Sequence, residues 1–577
     1  MDDTGARAPL GATPGPRWPW LAKYPPDVTW DVVYEPKPLG GLLDEAAARH
    51  GLAACTNFFG KRLSYAEIAR LSARAACGLR RLGVTKGVKV GLLLPNTPTF
   101  IIYYFAILKI GGVVVNFNPL YTAEELAFQA RDSQTSLIVT ADLVSLFGKA
   151  EALLLSGAVD RAVVCSFPDL LPVAKSAIFR VFKSKELANP ASSAAAGRIV
   201  LERDVLDNDG AFEPAAIDPE ADIAVLQYTG GTTGTPKGAM LSHANLNANV
   251  RQAVDWAPHL REGEERLLAI LPFFHVFAMT TVMNFGIAKA AELFVVPRFS
   301  LDDALKLIDR AKITAMAGVP TLFGAIVRHP NLARYDLSSI KYCLSGGAPL
   351  PLEIKREFEA LAHCKIVEGY GLSEASPVVT CGPHAGPSKD GSIGLPLPAT
   401  IVSLRDLADP AREAPAGERG ELCVKGPQVM RGYWNRPEET AQQFVGGFLR
   451  TGDVAVMDED GFLYIVDRIK DLIICSGYNV YPRRVEDAIY AHAAVQEATV
   501  IGVPDAYRGE APKAFIRLKA GAFCTSEEMM EHLKLKLSKI EMPAEIEFRD
   551  SLPKTLVGKL SKKELKQEEV RRRAPAR

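Results

Sequence analysis

The stretch "YTGGTTGTPKGAML" (228–241) carries the densest chemistry in the chain. Gly230, Gly231 and Gly234 let backbone amides converge on an anion. Thr229, Thr232, Thr233 and Thr235 add hydroxyl donors, and Lys237 adds positive charge. Together these groups suit a phosphate chain. The familiar GxxxxGK[ST] loop is excluded, because Pro236 precedes Lys237 and Gly238 stands where that loop carries its magnesium-binding hydroxyl. The preceding "ADIAVLQYT" reads as a strand, so the loop leaves a strand end, where α/β sheets place ligands. A mobile Gly/Thr loop with no ligand is the plain alternative.

Strands and helices alternate around this loop. The 3.6-residue pattern of "SYAEIARLSARAACGLRRLGV" (64–84) reads as a helix, and "KVGLLL" (89–94), "SLIVT" (136–140) and "RAVVC" (161–165) read as strands. Such alternation predicts parallel sheets covered on both faces. The longest apolar run, "FIIYYFAILKIGGVVVNF" (100–117), is broken by Lys109 and Gly111-Gly112, which suits a buried helix and a strand better than a membrane span. Past about residue 400 the texture changes to short strands with turn signals, and a compact β-rich and helical unit follows. The fold class is α/β: a large N-terminal domain of layered α/β subdomains plus a β-subdomain (31–466), then a small mobile α+β domain (467–577). Residues 1–30, rich in Pro, Gly and Ala at their start, read as a flexible leader.

With 577 residues, more than one core is required. The 67 basic residues balance 67 acidic ones, so no global field favours nucleic acid. The nine cysteines show neither CxxC pairing nor metal-ligand spacing and read as reduced thiols of a cytoplasmic protein.

Seven further motifs follow the loop: "LPFFHVFAM" (271–279), "LSGGAPL" (344–350), "EGYGLSEASP" (368–377), "RGYWNRPEET" (431–440), "TGD" (451–453), "DRIKDLIICSGYNVYPRRVE" (467–486) and "PKTLVGKL" (553–560). In content and order they resemble the adenylate-forming (AMP-binding) superfamily. The overall likeness is to acyl-CoA synthetases, bacterial long-chain fatty-acid CoA ligases in particular. The resemblance implies that a carboxylate attacks the α-phosphate of ATP to give an acyl-adenylate, which coenzyme A then converts to a thioester.

It also implies roles for the matching residues. Glu374, with Thr229, would hold Mg2+. Tyr370 with Gly346, Gly347 and Ala348 would form the adenine slot, flanked by Glu368, Gly369 and Gly371. Asp453 and Arg468 would hold the ribose, a carboxylate being the natural acceptor for a diol. The catalytic lysine would be Lys559, which composition alone would leave as a solvated charge in a basic tail. Lys470 would be the hinge about which the small domain turns, presenting Ser476, Gly477 and Tyr478 to coenzyme A. His275, Val276 and Met279 would line the acyl entrance, although His275 reads equally as a packed histidine.

Chain length stays open on this reading. A pimelate-like dicarboxylate and transfer of the acyl group to a carrier protein are the alternatives. The segment "KSAIFRVFKSK" (175–185) puts Ile178, Val181 and Phe182 on one helical face, ringed by Lys175, Arg180, Lys183 and Lys185. Its ordinary reading is a surface helix docked on the core; the alternative is peripheral contact with the inner face of the membrane. Oligomeric state stays open too, with a homodimer among the alternatives.

Overall fold

Four sheets organise the residues described by the computed structural model, which are 18–229, 236–475, 478–505, 508–555 and 560–573. The first takes up the β-branched runs of the N-terminal half. Lys89–Leu93 lies between Val113–Asn116 and Thr135–Ala141, all parallel, and Ile223–Thr229 extends the sheet beside Val113–Asn116. The helix Tyr65–Arg81 opens with a reciprocal capping box, in which Ser64 accepts from the Glu67 amide and Glu67 from the Ser64 amide. Pro98–Lys109 starts at the Thr97 cap and is buried from Pro98 to Leu108. A helix apolar all round belongs in a core, and this one is enclosed by protein. Among the described residues no helix is long and apolar enough to cross a membrane.

The glycine-rich loop does not lead into a helix. Ile223–Thr229 returns antiparallel as Lys237–Ser242, with Thr229 paired to Lys237. Thr229 and Lys237, on either side of the glycine-rich stretch, are therefore fixed to each other.

A second sheet runs through Arg266–Ala269, Ala315–Gly318, Tyr342–Gly346 and Ile366–Gly371, mutually parallel. Its register sets Gly346 against Gly369, so two motifs distant in sequence end side by side. A third, antiparallel sheet comprises Ile401–Arg405, Gly420–Lys425, Phe444–Val445, Phe448–Met457 and Leu463–Arg468, as the change of texture near residue 400 predicts. These three sheets share one continuous apolar core, and the residues from Ile473 onward build separate cores of their own. Their sheet pairs Val495–Asp505 with Gly509–Leu518 and is flanked by the helices Pro482–Tyr490, Ser526–Lys534 and Lys562–Arg573.

Two expectations need correcting. Residues 18–30 are no flexible leader: Trp18, Trp20 and Trp30 cluster with ring centroids 4.9–6.4 Å apart, Trp20 is buried, and the Tyr24 hydroxyl donates to the Pro396 carbonyl. Aromatic burial overrides the disorder suggested by local composition. Residues 1–17 lie outside the described residues. The helix Val173–Phe182 does not dock the face carrying Ile178, Val181 and Phe182; it rests on Phe179 against Phe167, and that face is exposed.

Candidate active site

Asp453 lies buried on the strand Phe448–Met457 and is shared by two donors. The Tyr370 hydroxyl donates to Oδ2 at 2.6 Å, and Arg468 Nε donates to Oδ1 at 2.9 Å. The antiparallel pairing of Asp453 with Arg468 brings the latter there. Burial, then Asp453 itself, push the Tyr370 phenol well above its ordinary value, so it stays a donor; Asp453 likewise holds the Arg468 guanidinium up. Three residues assigned separately to adenine and ribose thus form one connected group.

Beside it, Gly346 ends its strand under the Phe277 ring, where a Cβ would meet the ring at 2.8 Å. Gly347, at φ +85°, turns the chain toward Ala348. The Glu368 carboxylate, raised by burial, accepts from the Leu350 amide at 3.2 Å and so fastens the far end of "LSGGAPL" to the neighbouring strand. Gly371 backs onto the Pro377 carbonyl oxygen, leaving no room for a side chain. Gly346 and Gly371 are thus packed too closely against the protein to carry a side chain.

Glu374 follows in the short 3-10 turn Ser373–Ala375, and its Oε1 accepts from the Tyr433 hydroxyl at 2.8 Å. Lys237 lies 5.4 Å over the same Tyr433 ring and pairs with Glu439. Lys470 lies in the turn Ile469–Asp471; burial first, then the charges of Lys237 and Arg468, lower its pKa, against the opposing pull of Glu374. Lys237, Arg468 and Lys470 thus act on one another's charge in the neighbourhood of Glu374, with Lys237 paired to Glu439 and Arg468 to Asp453.

The metal assignment fits this donor set. Among the described residues no cluster of three or more His, Cys, Asp or Glu side chains could hold an ion unaided. Glu374 keeps Oε2 free of the Tyr433 bond, and the Thr229 strand end meets Lys237. One carboxylate and one hydroxyl, with phosphate oxygens and water, are what magnesium accepts.

Tyr433, Arg436 and Glu439 carry no assignment in the sequence reading. Their spacing of three residues within "RGYWNRPEET" is the signal that could have found them. Arg436 pairs with Asp132 at 2.6 Å, and Asp132 also accepts from the Tyr228 hydroxyl at 2.6 Å, tying this segment to the base of the loop hairpin. Gly230, Gly231, Thr232, Thr233, Gly234, Ser476, Gly477 and Lys559 lie outside the described residues. Tyr478 opens the strand Tyr478–Val480 with its side chain exposed.

His275 caps a short helix, its Nδ1 accepting from the Phe277 amide, and Val276 and Met279 are buried. The Met279 sulfur accepts from Asn116 Nδ2 at 3.4 Å. None of the three lines the neighbouring apolar cavity, whose walls begin at Thr281, Val282 and Phe285, beyond the start of the π-helical turn Met279–Asn284. Strand residues Ala317 and Leu344 line it too, with Trp256 and Tyr342. Leu344, on the cavity wall, stands two residues before Gly346 on the same strand.

Likeness to known proteins decides the classification. The chain belongs to the AMP-binding enzyme family. The AMP-binding enzyme pattern matches residues 43–434, and the AMP-binding enzyme C-terminal domain matches 484–559, ending on Lys559. A long-chain-fatty-acid–CoA ligase of Bacillus subtilis (strain 168) is 45% identical over 552 residues, covering 96% of this chain and 98% of its own. One of Yersinia pestis is 38% identical, covering 96% and 98%. Among solved structures of AMP-binding enzymes, ATP-bound MatB from Rhodopseudomonas palustris superposes with a TM-score of 0.79 at 28% identity, covering 92% of this chain and 98% of that one.

Proposed function

We propose that the chain is an ATP-dependent fatty-acyl-CoA ligase whose substrate is a medium- to long-chain monocarboxylic acid. The acid's carboxylate oxygen attacks the α-phosphorus, a new P–O bond forms and pyrophosphate leaves with the electrons of the broken α,β-bridge. The thiolate of coenzyme A then attacks the acyl carbon, forming the C–S bond and releasing AMP. A thiol with a pKa of about 8.5 needs little help against so activated an ester.

The chain's own residues divide this work. Asp453 and Arg468 orient the ribose, and the slot of Gly346, Gly347, Ala348, Gly369, Tyr370 and Gly371 orients the base. Lys237 and the loop hydroxyls hold the phosphates. Glu374 and Thr229 would hold magnesium, which supplies charge neutralisation on the phosphates. Lys559 bridges the attacking carboxylate and the α-phosphate, an interaction strongest in the transition state. The small domain, from residue 467 onward, then turns about Lys470, withdrawing Lys559 and presenting Ser476, Gly477 and Tyr478 to coenzyme A.

The apolar cavity carries the substrate assignment. Among the described residues that line it, none bears a formal charge, so an alkyl chain is accepted and a second carboxylate would be desolvated without a partner. Such acids partition into bilayers, and peripheral contact with the inner membrane face belongs to this reading.

Parallel assays of pyrophosphate release and thioester formation, over straight-chain mono- and dicarboxylic acids, test it. The expected maximum is at medium to long monocarboxylates. A maximum at dicarboxylates overturns the substrate assignment, and pyrophosphate without coenzyme A thioester points to loading of a carrier protein.

A further inference from the structure

The helix Val173–Phe182 is amphipathic in the inverted sense. Ser176 and Phe179 face the body of the protein. At about 3.6 residues per turn, the outward arc then consists of Val173, Ala174, Ala177, Ile178, Val181 and Phe182, all exposed. The large ones are strikingly bare for apolar side chains: Ile178 is 57%, Val181 70% and Phe182 79% exposed. An isolated exposed apolar residue needs no explanation; a whole helical face does.

Cations border this face. Lys175 and Arg180 flank the helix, and Lys183 and Lys185 follow its end. Arg180 pairs with Asp169 and Lys183 with Glu186. Lys175 instead donates to the Phe59 carbonyl, 2.8 Å away, and Lys61 to that of Asp169, so their charges meet neutral carbonyls. Phe59, half-exposed beside Lys175, extends the apolar patch onto the turn at 59–60.

We propose that this face is the chain's docking surface for an anionic phospholipid bilayer, with Ile178, Val181 and Phe182 inserted among the acyl chains and the lysines on the headgroups. Charge selects the occupant. A second copy of the chain would press the same lysines against their own counterparts, whereas an anionic bilayer complements both the cations and the apolar arc. The proposal rests on the fatty-acyl reading for its purpose, since the substrate is then collected from the phase in which it dissolves.

The test is sedimentation of the full chain with vesicles of phosphatidylglycerol and phosphatidylethanolamine, and with vesicles of phosphatidylcholine alone. Wild type is expected to bind the anionic vesicles. Joint Ile178→Asp and Phe182→Asp substitution should lower the partition coefficient by at least about tenfold, and Lys183→Glu with Lys185→Glu by about tenfold on anionic vesicles. Ile178→Ser with Phe182→Ser provides a milder pair, and an unchanged melting temperature confirms folding. Wild type that ignores anionic vesicles, or apolar-face variants that bind as wild type does, overturns the proposal. So does a wild-type dimer in velocity sedimentation that becomes monomeric in the aspartate variant while vesicle binding is unaltered. Thioester formation across octanoate to palmitate without vesicles reads the ligase assignment separately: its absence on every acid, with vesicle binding intact, refutes that reading and leaves the surface standing.

Discussion

The Tyr433 hydroxyl donates to Glu374 Oε1 across 2.8 Å, joining a segment near the end of the large domain to the carboxylate best suited to magnesium. Burial, then the Glu374 charge, hold the Tyr433 phenol above its ordinary value, so it stays a donor. Outer partners of this kind aim the ligand they touch. Tyr433→Phe should therefore lower pyrophosphate formation by roughly 10- to 100-fold at limiting magnesium, with much of the loss recovered at high magnesium. Titrating magnesium in the pyrophosphate assay checks this. A defect independent of magnesium would assign Tyr433 to packing alone.

Lys559→Ala should abolish adenylation, by on the order of 100-fold or more, while supplied acyl-adenylate is still converted to thioester. Separate assays of the two half-reactions decide. Equal loss in both would refute the division of labour between the two positions of the small domain.

Chain length should follow Trp256. Its Nε1 donates to the Gly382 carbonyl at 3.0 Å, and its ring meets Tyr24 edge-on at 5.1 Å, which holds it in place in the cavity wall. Trp256→Ala should move the optimum toward longer acids and cost about 3–5 kcal/mol of stability. Ala317→Phe should move it toward shorter ones, each excluded methylene being worth about 0.8 kcal/mol. Specificity constants across an acid series provide the readout.

Acid should loosen the large domain through His243. Burial lowers this residue to about 4, and its Nδ1 accepts from the Leu39 amide at 3.1 Å. In the unfolded chain it takes up a proton below about pH 6.5. The unfolded state therefore binds the proton first, and stability falls as the pH drops from about 6.5 toward 4, by at most about 1.4 kcal/mol per pH unit. His243→Gln should flatten that slope in a melting-temperature profile; an identical slope would refute the assignment.

Much of the fold was legible because its signals are local. A capping box at Ser64 and Glu67, a run of β-branched residues at 161–165 and a change of texture near residue 400 each act within a few residues. The packed residues 18–30 were not legible, since the partners of Trp20 and Tyr24 lie at Gly461 and at Pro396, hundreds of residues away. The outward face of Val173–Phe182 was half legible: periodicity gives a helix two faces, and only the surrounding chain decides which of them is covered.

The same division runs through the site. By itself the sequence determined the residue types: a loop rich in Gly and Thr with a lysine, an ordered set of motifs, and side chains of the kinds able to hold base, ribose and metal. Only the tertiary structure decided who touches whom. Sheet register set Gly346 against Gly369 and Asp453 against Arg468, turned Tyr370 and Tyr433 into donors to carboxylates, and put Thr281, Val282 and Phe285 on the wall of an apolar cavity. The physical reason is that a side chain's reactivity is intrinsic to its type, whereas its partner is fixed by backbone pairing between strands far apart in the chain.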